Sequence, residues 1–400
     1  MFESKPGNVA TCGTQAPASG HRRRIAYVTS SDPRDRRSWS GTHYYMAQAL
    51  QRHCGDLVPL GPLRPKTLLL KKALRRGLKA LTGRMYLFTH TVSLSKQMAG
   101  IVTKAMANQK FDLIFAPSGS GQIAHLNTDL PIVYSSDATF GLVLDYYPEF
   151  SNVVASCIPE AHAVEQLAID RAKLILYSST WAAGSAKKDY HADSAKVHVV
   201  PFGANLDEAP AAASVLKKKT SSICKLLFVG ADWEKKGGEL ALETVVELGR
   251  LSVAAELTIV GCCPPKTVRV PPNVQVIRFL NKNDVAQRQQ LQQLYLDADF
   301  FLLPTRSECY GIVFCEAGAF GLPVIGTDTG GVSEIIHHGE NGFLLPEGSR
   351  GSEYAKIIAD TFRDRTKYEE LQHNSRADFE KRLNWDAWGR AVAGLIDKMA

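Results

Sequence analysis

Short apolar runs alternate with helix-like stretches in two successive series along the chain, and this alternation limits the fold more than any other feature. Such runs, separated by helical stretches, are typical of parallel sheets whose strands are joined by crossover helices. They lie at 25–29, 113–116, 132–134, 174–177 and 197–200 in the first series, and at 225–229, 257–260, 274–277, 300–303, 323–325 and 343–345 in the second. The pattern therefore predicts an α/β protein with two parallel sheets.

A stretch at 209–222, rich in Ala, Ser and Lys, separates the two series and has little to bury. A chain of 400 residues is also too long for one core, since single cores stop growing at about 250–300 residues. We therefore predict two domains with a cleft between them. The predicted segments are a disordered tail at 1–23, a first domain at 24–208, a linker at 209–224, a second domain at 225–384 and a terminal helix at 385–400 that packs across both domains.

Composition excludes several other classes of protein. The chain is 45% hydrophobic and 22% charged, which argues against a disordered, collagen-like or membrane-bundle protein. No apolar run approaches the roughly 18 residues of a spanning helix, and the arginines at 22–24 precede only a short apolar stretch, so neither a transmembrane helix nor a secretory signal is expected. The eight cysteines include no CxxC pair and no zinc-like spacing. They are typical of reduced thiols and predict a cytoplasmic protein.

Positive charge is concentrated in one segment. The formal net charge is +7, yet residues 57–111 contain eleven Lys or Arg and no Asp or Glu. On a helix over 70–81, Leu70, Leu74 and Leu81 share an apolar face and the basic residues lie opposite. Two interpretations remain open: contact of the segment 64–84 with an anionic membrane, or a helix packed on its sheet with a solvated basic face. Nucleic acid is not expected, because no binding module or stacking platform accompanies the charge.

The stretch 304–334 carries the most chemical information. An apolar strand ends at Pro304, a loop of small residues follows, and a helix is predicted to open near 310–312 and to carry Glu316. This arrangement places free backbone N–H groups at the carboxyl edge of a parallel sheet, where α/β folds bind anionic ligands. Glu308 and Glu316 can then face one cleft and accept hydrogen bonds from sugar hydroxyls. Taken alone, the two glutamates are better explained by a favourable interaction with the helix N-terminus.

The surroundings of the two glutamates favour the first interpretation, because the sequence resembles the family 4 (group 1) glycosyltransferases of the GT-B fold. Glu308 and Glu316 have the E-x7-E spacing of that family, and 321–331 and 341–346 continue the resemblance. Upstream, 228–238 resembles the strand-to-helix turn in which the family binds the donor diphosphate. The resemblance implies two Rossmann-like, doubly wound domains with an interdomain cleft and a C-terminal helix that crosses back.

The resemblance also implies roles for residues of the second domain. Glu316 would hydrogen-bond the donor ribose, Glu308 would hold hydroxyls of the transferred sugar, and Lys236 would neutralise the diphosphate. Gly230 matches the glycine of the diphosphate turn. The backbone amides that would point at the donor are those of Tyr310, Gly311 and Ile312.

The same turn departs from the family pattern. Many members carry Arg directly after the glycine, whereas this chain has Ala231, so one expected phosphate cation is absent. Lys235, Arg306 or a basic residue of the first domain are the candidates to replace it.

The first domain resembles the family at fewer positions. Gly41 follows the first strand by a short basic loop and would let the backbone approach the diphosphate, although a simple turn before a helix explains the same glycine. Residues 133–140 occupy the place where many members have a histidine followed by Asp near the reacting sugar. Here Ser136 replaces the histidine and Asp137 is retained. We therefore predict Asp137 as a catalytic-site residue together with Glu308.

No metal and no cofactor are predicted, apart from the nucleotide sugar as co-substrate. Asp297 and Asp299 match the DxD signature of metal-dependent glycosyltransferases, but they lie at a helix end directly before a strand, where Asp299 is better explained as a turn residue. The GT-B architecture does not need that metal, and the sequence shows no other cluster of oxygen ligands.

The resemblance implies a retaining glycosyltransferase that moves a sugar from a nucleoside-diphosphate sugar to a glycan or lipid-linked acceptor, in glycan, polysaccharide or glycolipid assembly. The alternative is a catalytically silent relative that binds a nucleotide or glycan without transfer, and Ala231 and Ser136 keep it open. A nicotinamide-dependent oxidoreductase is disfavoured, because 118–121 lacks the third glycine and the downstream acidic residue of the dinucleotide fingerprint.

Overall fold

Two six-stranded parallel sheets form the framework of the protein, as expected from the two series of apolar runs. The structure is a computed structural model and describes residues 22–216 and 221–399. Residues 1–21 of the predicted tail lie outside the described residues. Residues 217–220 of the predicted linker lie outside them as well.

The first sheet has the strand order β2-β1-β3-β4-β5-β6. Its strands are β1 Arg24–Tyr27, β2 Asp56–Pro59, β3 Leu113–Pro117, β4 Ile132–Ser136, β5 Leu174–Tyr177 and β6 Val197–Val199. The helices of this half are α1 Thr42–His53, α2 Leu68–Thr82, α3 Val92–Met106, α4 Ser120–Ile123, α5 Phe140–Val143, α6 Cys157–Arg171, α7 Thr180–Asp189 and α8 Ala212–Val215.

The second sheet has the strand order β12-β11-β10-β7-β8-β9. Its strands are β7 Cys224–Val229, β8 Ala255–Val260, β9 Val274–Ile277, β10 Phe300–Leu303, β11 Val324–Thr327 and β12 Gly342–Leu345. The helices are α9 Gly238–Arg250, α10 Val285–Asp297, α11 Ile312–Ala319, α12 Gly351–Arg363, α13 Arg365–Lys381 and α14 Trp385–Asp397.

In each sheet the strands are first added on one side of the first strand and then on its other side, so both domains are doubly wound. The change of side falls between β1 and β3 in the first sheet and between β7 and β10 in the second. The strands on either side are buried along nearly their whole length, because helices cover both faces of such a sheet. Crevices at the carboxyl ends of these strand pairs are where open α/β sheets bind ligands.

The last helix, α14, returns from the second domain to the first, as the family resemblance implies. Trp388 is buried edge-on against Phe115 of β3, with ring centroids 6.0 Å apart. Arg52 of α1 pairs with Asp386 at 3.1 Å. The indole of Trp385 donates to Asn205 at 3.0 Å, so the start of the helix also holds the segment that joins the domains.

Helix α2 has its apolar face turned outward. Leu70, Leu74 and Leu81 are 71%, 48% and 86% exposed, and no residue of the helix is buried. Lys71 and Arg75 face the protein instead, where they donate to Thr91 Oγ1 at 3.3 Å and to Met85 Sδ at 3.1 Å. The interpretation of this helix as one packed on its sheet through these leucines is therefore wrong, whereas Lys72, Arg76 and Lys79 are exposed to solvent, as that interpretation expects. Among the described residues, no helix combines the length and apolar character needed to span a membrane.

Candidate active site

Two loops of the second domain meet at the carboxyl ends of β7 and β10. Gly237, at the end of the loop after β7, has a φ of +74°, and a Cβ there would overlap the carbonyl oxygen of Pro304. The Arg306 amide and the Thr305 hydroxyl both donate to the carbonyl oxygen of Lys235, at 2.8 and 3.1 Å. These contacts fix the β7 loop against the β10 loop, so Lys236 lies beside Glu308.

Lys236 and Glu308 form an ion pair between these loops. Both side chains are largely buried, so each charge depends on the other for compensation. A Cβ at Gly230 would lie only 2.9 Å from Cγ of Lys236. Because Gly230 has no side chain, the aliphatic part of Lys236 can lie against it. This packing explains the glycine without a close approach of its backbone to a diphosphate.

Glu316 lies fully buried on α11, two turns beyond Glu308. Its carboxylate receives the Lys282 ammonium at 2.6 Å and the Tyr295 hydroxyl at 3.1 Å. Sequence reasoning missed Lys282. The signal was its place shortly after β9, which ends at the same edge of the sheet as β7 and β10.

The N-terminus of α11 presents free amides at the same edge. Gly311 precedes the helix with a φ of +95°, a conformation that favours glycine. Within the described parts of the chain, no hydrogen-bond acceptor is found for the amides of Tyr310, Gly311 and Ile312. Together with the helix dipole, these N–H groups favour an anion. The Tyr310 side chain has a separate structural role, since its hydroxyl donates to the carbonyl of Phe202 at 2.9 Å.

Asp137 reaches this cluster from the end of β4 in the first domain. Its carboxylate accepts a hydrogen bond from the indole of Trp39 at 3.2 Å. Burial raises the pKa of Asp137 to about 6, and the nearby charge of Glu308 adds to the rise. The structure thus brings Asp137 and Glu308, the two predicted catalytic residues, into electrostatic contact across the cleft.

Gly41 lies at the seam between the domains, two residues after Trp39, whose indole donates to Asp137. It has a φ of +98°, and a Cβ there would lie 3.1 Å from the Arg36 carbonyl and 3.3 Å from the Asn205 side chain. The Asn205 amide in turn donates to the carbonyl of Ser40 at 3.0 Å. The observed reason for glycine is the close approach of α1 to the segment that joins the domains.

Lys235 supplies a second cation beside Lys236. Its ammonium lies 3.1 Å from the ring centroid of Tyr147 and 3.9 Å from Glu149, both in the first domain. Burial, followed by the charge of Lys236, lowers the pKa of Lys235. Arg306, by contrast, is exposed. Of the two second-domain candidates to replace the cation missing at Ala231, Lys235 is the one within the cluster.

Two tyrosines that sequence reasoning missed cross the cleft at the same place. The Tyr146 hydroxyl accepts from the Glu308 amide at 2.8 Å, and the Tyr147 hydroxyl accepts from the Cys309 amide at 2.9 Å. They lie in an irregular segment between α5 and α6, which has no periodicity that would place them in the cleft.

Asp297 and Asp299, the DxD-like pair, make their hydrogen bonds with residues outside this cluster. The Asp299 carboxylate accepts from the Lys225 amide at 2.8 Å, where β7 begins, and Asp297 accepts from Gln293. Among residues 22–216 and 221–399, no group of three or more His, Cys, Asp or Glu side chains is placed to hold a metal ion.

Known proteins resemble both the second domain and the whole fold. Residues 224–364 match the model of the family described as glycosyl transferases group 1. A D-inositol 3-phosphate glycosyltransferase of Streptomyces scabiei (strain 87.22) is 28% identical over 255 residues, which cover 59% of this chain and 56% of that protein. This chain therefore matches little more than half the length of that relative.

Solved structures cover nearly the whole chain. A sucrose-phosphate synthase from Thermosynechococcus elongatus has a TM-score of 0.66 at 16% identity and covers 94% of this chain and 99% of its own. The Anabaena protein HepE, solved in complex with UDP-glucose, has a TM-score of 0.62 at 17% identity and covers 94% of this chain and 100% of its own. At such low identity these matches show the fold alone, and the predicted GT-B fold is confirmed.

Proposed function

We propose that this protein transfers a sugar from a nucleoside-diphosphate sugar to an acceptor hydroxyl, because residues 224–364 match the model of the group 1 glycosyl transferases and the chain has the GT-B fold. The observation that carries the proposal is the pair of lysine-bound glutamates, Glu308 and Glu316, beside the free amides of α11. Carboxylates suit sugar and ribose hydroxyls, while the lysines and amides suit a diphosphate.

In this proposal, groups of the donor replace contacts that the lysines and glutamates of the site now make with each other. The diphosphate takes the Lys236 ammonium, with Lys235 as its neighbour, and the amides at 310–312 point at the phosphates. The ribose hydroxyls bind Glu316, and the transferred sugar binds Glu308. Lys236 thereby gains a new anion and Lys282 keeps its carboxylate, while Glu308 exchanges the lysine for hydrogen bonds from the sugar hydroxyls.

The chemical step proposed is front-face substitution with retention of the anomeric configuration. The acceptor oxygen forms a bond to the anomeric carbon as the bond from that carbon to the phosphate oxygen breaks. The departing phosphate oxygen takes the proton of the acceptor hydroxyl. The protein contributes position and charge, and loss of one preorganised donor or cation costs ~2.7–4 kcal/mol of barrier in comparable sites. Lys235 and Lys236 supply the positive charge at the leaving group, so we propose a reaction that needs neither a metal nor a further cofactor.

A thermal-shift panel with UDP, GDP, ADP, CMP and NAD tests donor binding. A nucleotide at about 100 times its dissociation constant stabilises by ~2.7 kcal/mol. We expect one nucleoside diphosphate to raise the melting temperature, and Glu316→Gln to abolish the effect. Glu256→Gln, which changes an exposed carboxylate of β8 in the same domain, is the matched control.

The sugar form of the selected nucleotide then tests transfer. Release of nucleoside diphosphate from it by the wild type supports a transferase. Binding without release, when a panel of glycan and lipid acceptors is offered, supports the catalytically silent relative instead, and stabilisation by NAD alone contradicts both.

We also propose that α2 holds the protein on an anionic membrane surface, which fits a lipid-linked acceptor. The exposed leucines of its outer face can enter the boundary of the bilayer, and its basic residues can meet anionic headgroups, at about 1 kcal/mol for each cation near the surface. Acceptor identity, assembly pathway and cytoplasmic location remain predictions from the sequence.

Vesicle co-sedimentation tests this contact. Vesicles of phosphatidylcholine with phosphatidylglycerol are expected to bind the wild type, and vesicles of phosphatidylcholine alone to bind it weakly. A Leu70→Ser, Leu74→Ser, Leu81→Ser variant should lose binding. Val285→Ser, which removes an exposed apolar side chain of α10, should keep it. Equal binding by both variants would contradict the role of α2.

A further inference from the structure

Tyr146 joins two loops of the second domain from its position in the first. Its hydroxyl accepts from the Glu308 amide at 2.8 Å, in the loop after β10, and lies 2.8 Å from the Thr329 hydroxyl, in the loop after β11. The Tyr146 hydroxyl proton has two acceptors within reach, the Thr329 hydroxyl at 2.8 Å and the Glu308 carbonyl oxygen at 3.4 Å. The tyrosine therefore links the Glu308 backbone to a neighbouring loop across the cleft.

Tyr147 holds the next residue of the same loop. Its hydroxyl accepts from the Cys309 amide at 2.9 Å, while Lys235 lies over its ring. The two tyrosine rings stack 5.3 Å apart, and Tyr146 also packs on Trp181 of α7 at 5.6 Å. The hydroxyls are thus held by packing inside the first domain and bonded to the second.

The loops that these hydroxyls contact have no spare room. A Cβ at Gly330 would overlap the carbonyl oxygen of Glu308, and a Cβ at Gly331 would overlap that of Cys309. The carbonyl groups of Glu308 and Cys309 are therefore confined by the β11 loop, while their amides are bonded by the tyrosines. The backbone of Glu308 is fixed on both sides only when the two domains are together.

We propose that Tyr146 and Tyr147 are positioning residues that make the placement of the Glu308 carboxylate depend on closure of the cleft. The inference rests on the proposed function, in which Glu308 holds the transferred sugar. When the domains separate, the amides of Glu308 and Cys309 lose their acceptors, and Glu308 keeps only its ion pair with Lys236 and the contact of its carbonyl with the β11 loop. A donor bound to the open second domain is then kept from reacting with water until the first domain closes.

Kinetics of Tyr146→Phe, Tyr147→Phe and the double variant test this coupling. Phenylalanine keeps the ring stack and the contact with Lys235 and removes only the hydroxyls. With the donor identified by the nucleotide panel, the double variant is expected to lose at least tenfold in kcat, while its Kd for the free nucleoside diphosphate changes less than twofold. Tyr368→Phe is the matched control, since it removes a buried hydroxyl bonded to Asp299 within the second domain, at 3.0 Å.

Small-angle X-ray scattering gives a readout that is independent of activity. The double variant is expected to have a larger radius of gyration than the wild type, because two hydrogen bonds across the cleft are lost, and Tyr368→Phe to match the wild type. An unchanged kcat or an unchanged radius of gyration in the double variant overturns the inference. A parallel loss of nucleotide affinity overturns it too, because the tyrosines then act on donor binding. A wild type that turns over no donor refutes the proposed function instead, and scattering still decides whether the tyrosines hold the cleft closed.

Discussion

Replacing Asp137 by Asn is expected to stabilise the protein at neutral pH and to change its stability little at acidic pH. Burial raises the pKa of this carboxyl from 3.8 to about 6 in the folded protein. The folded protein thus holds the proton more tightly than the unfolded chain does, and unfolding releases a proton between pH 4 and pH 6. Stability contributed by Asp137 is therefore fully present below about pH 4 and is lost as the pH rises through 6.

The magnitude follows from the size of the shift. About two pK units correspond to ~3 kcal/mol, since one unit is worth ~1.4 kcal/mol. Asn is neutral at every pH and can still accept the hydrogen bond from the Trp39 indole. The free energy of unfolding of the variant should exceed that of the wild type by about 2–3 kcal/mol at pH 7.5, and the gap should close near pH 4.

Urea unfolding monitored by tryptophan fluorescence between pH 4 and pH 8 measures this gap. Asp129→Asn, which removes an exposed carboxylate, controls for the general effect of one negative charge. A gap of equal size at all pH values would show that the cleft does not penalise the charged carboxylate. If Asp137 also binds the reacting sugar, the more stable variant should be the less active one, as is common where a site holds a strained charge.

Three further outcomes are expected. Glu316→Ala leaves Lys282 and Tyr295 without their shared partner and should lower the free energy of unfolding by about 3–5 kcal/mol. Glu316→Gln keeps the hydrogen bond from Tyr295 and should lower it less. Equal melting temperatures for the wild type and the Ala variant would contradict the pairing. Gly237→Ala should lower stability by ~1–3 kcal/mol, because the added Cβ overlaps Pro304. Gly249→Ala in α9, where the added Cβ meets no atom, should raise stability by ~0.5–1 kcal/mol. The midpoint of urea unfolding should fall for the first variant and rise for the second. Raising NaCl from about 0.05 to 0.5 M should release the protein from anionic vesicles, because screening weakens the attraction of α2, and binding that resists salt would point to the leucines alone.

Strands with a continuous apolar run were the part of the fold that the sequence predicted best. The runs at 174–177, 274–277 and 300–303 coincide with β5, β9 and β10, and the other runs differ from their strands by one or two residues at one or both ends. Strand β2 was missed, because it is a half-exposed edge strand that contains Asp56 and Pro59 and lacks a continuous apolar run. Strand β9 is also a half-exposed edge strand, but Val274, Val276 and Ile277 give it an apolar run, so the signal that β2 lacks is the run itself.

The candidate site was predictable only where family motifs marked it. Glu308, Glu316 and Lys236 follow from motif spacing, and the structure places them at one sheet edge. Lys282 and the tyrosines at 146 and 147 have no such marker, since their partners are more than 30 residues away. Contacts across a cleft depend on how two domains meet, and local periodicity carries no information about that.

The return of α14 to the first domain has a consequence for synthesis of the chain. Trp388 packs against Phe115 and its neighbour Gly389 lies against His53 of α1, yet α14 follows the whole second domain in the chain. During translation, the N-terminal domain therefore exposes this apolar surface to solvent until the second domain and α14 have been synthesised. Loss of the last helix should accordingly make the first domain, and not the second, the preferred target of chaperones and proteases.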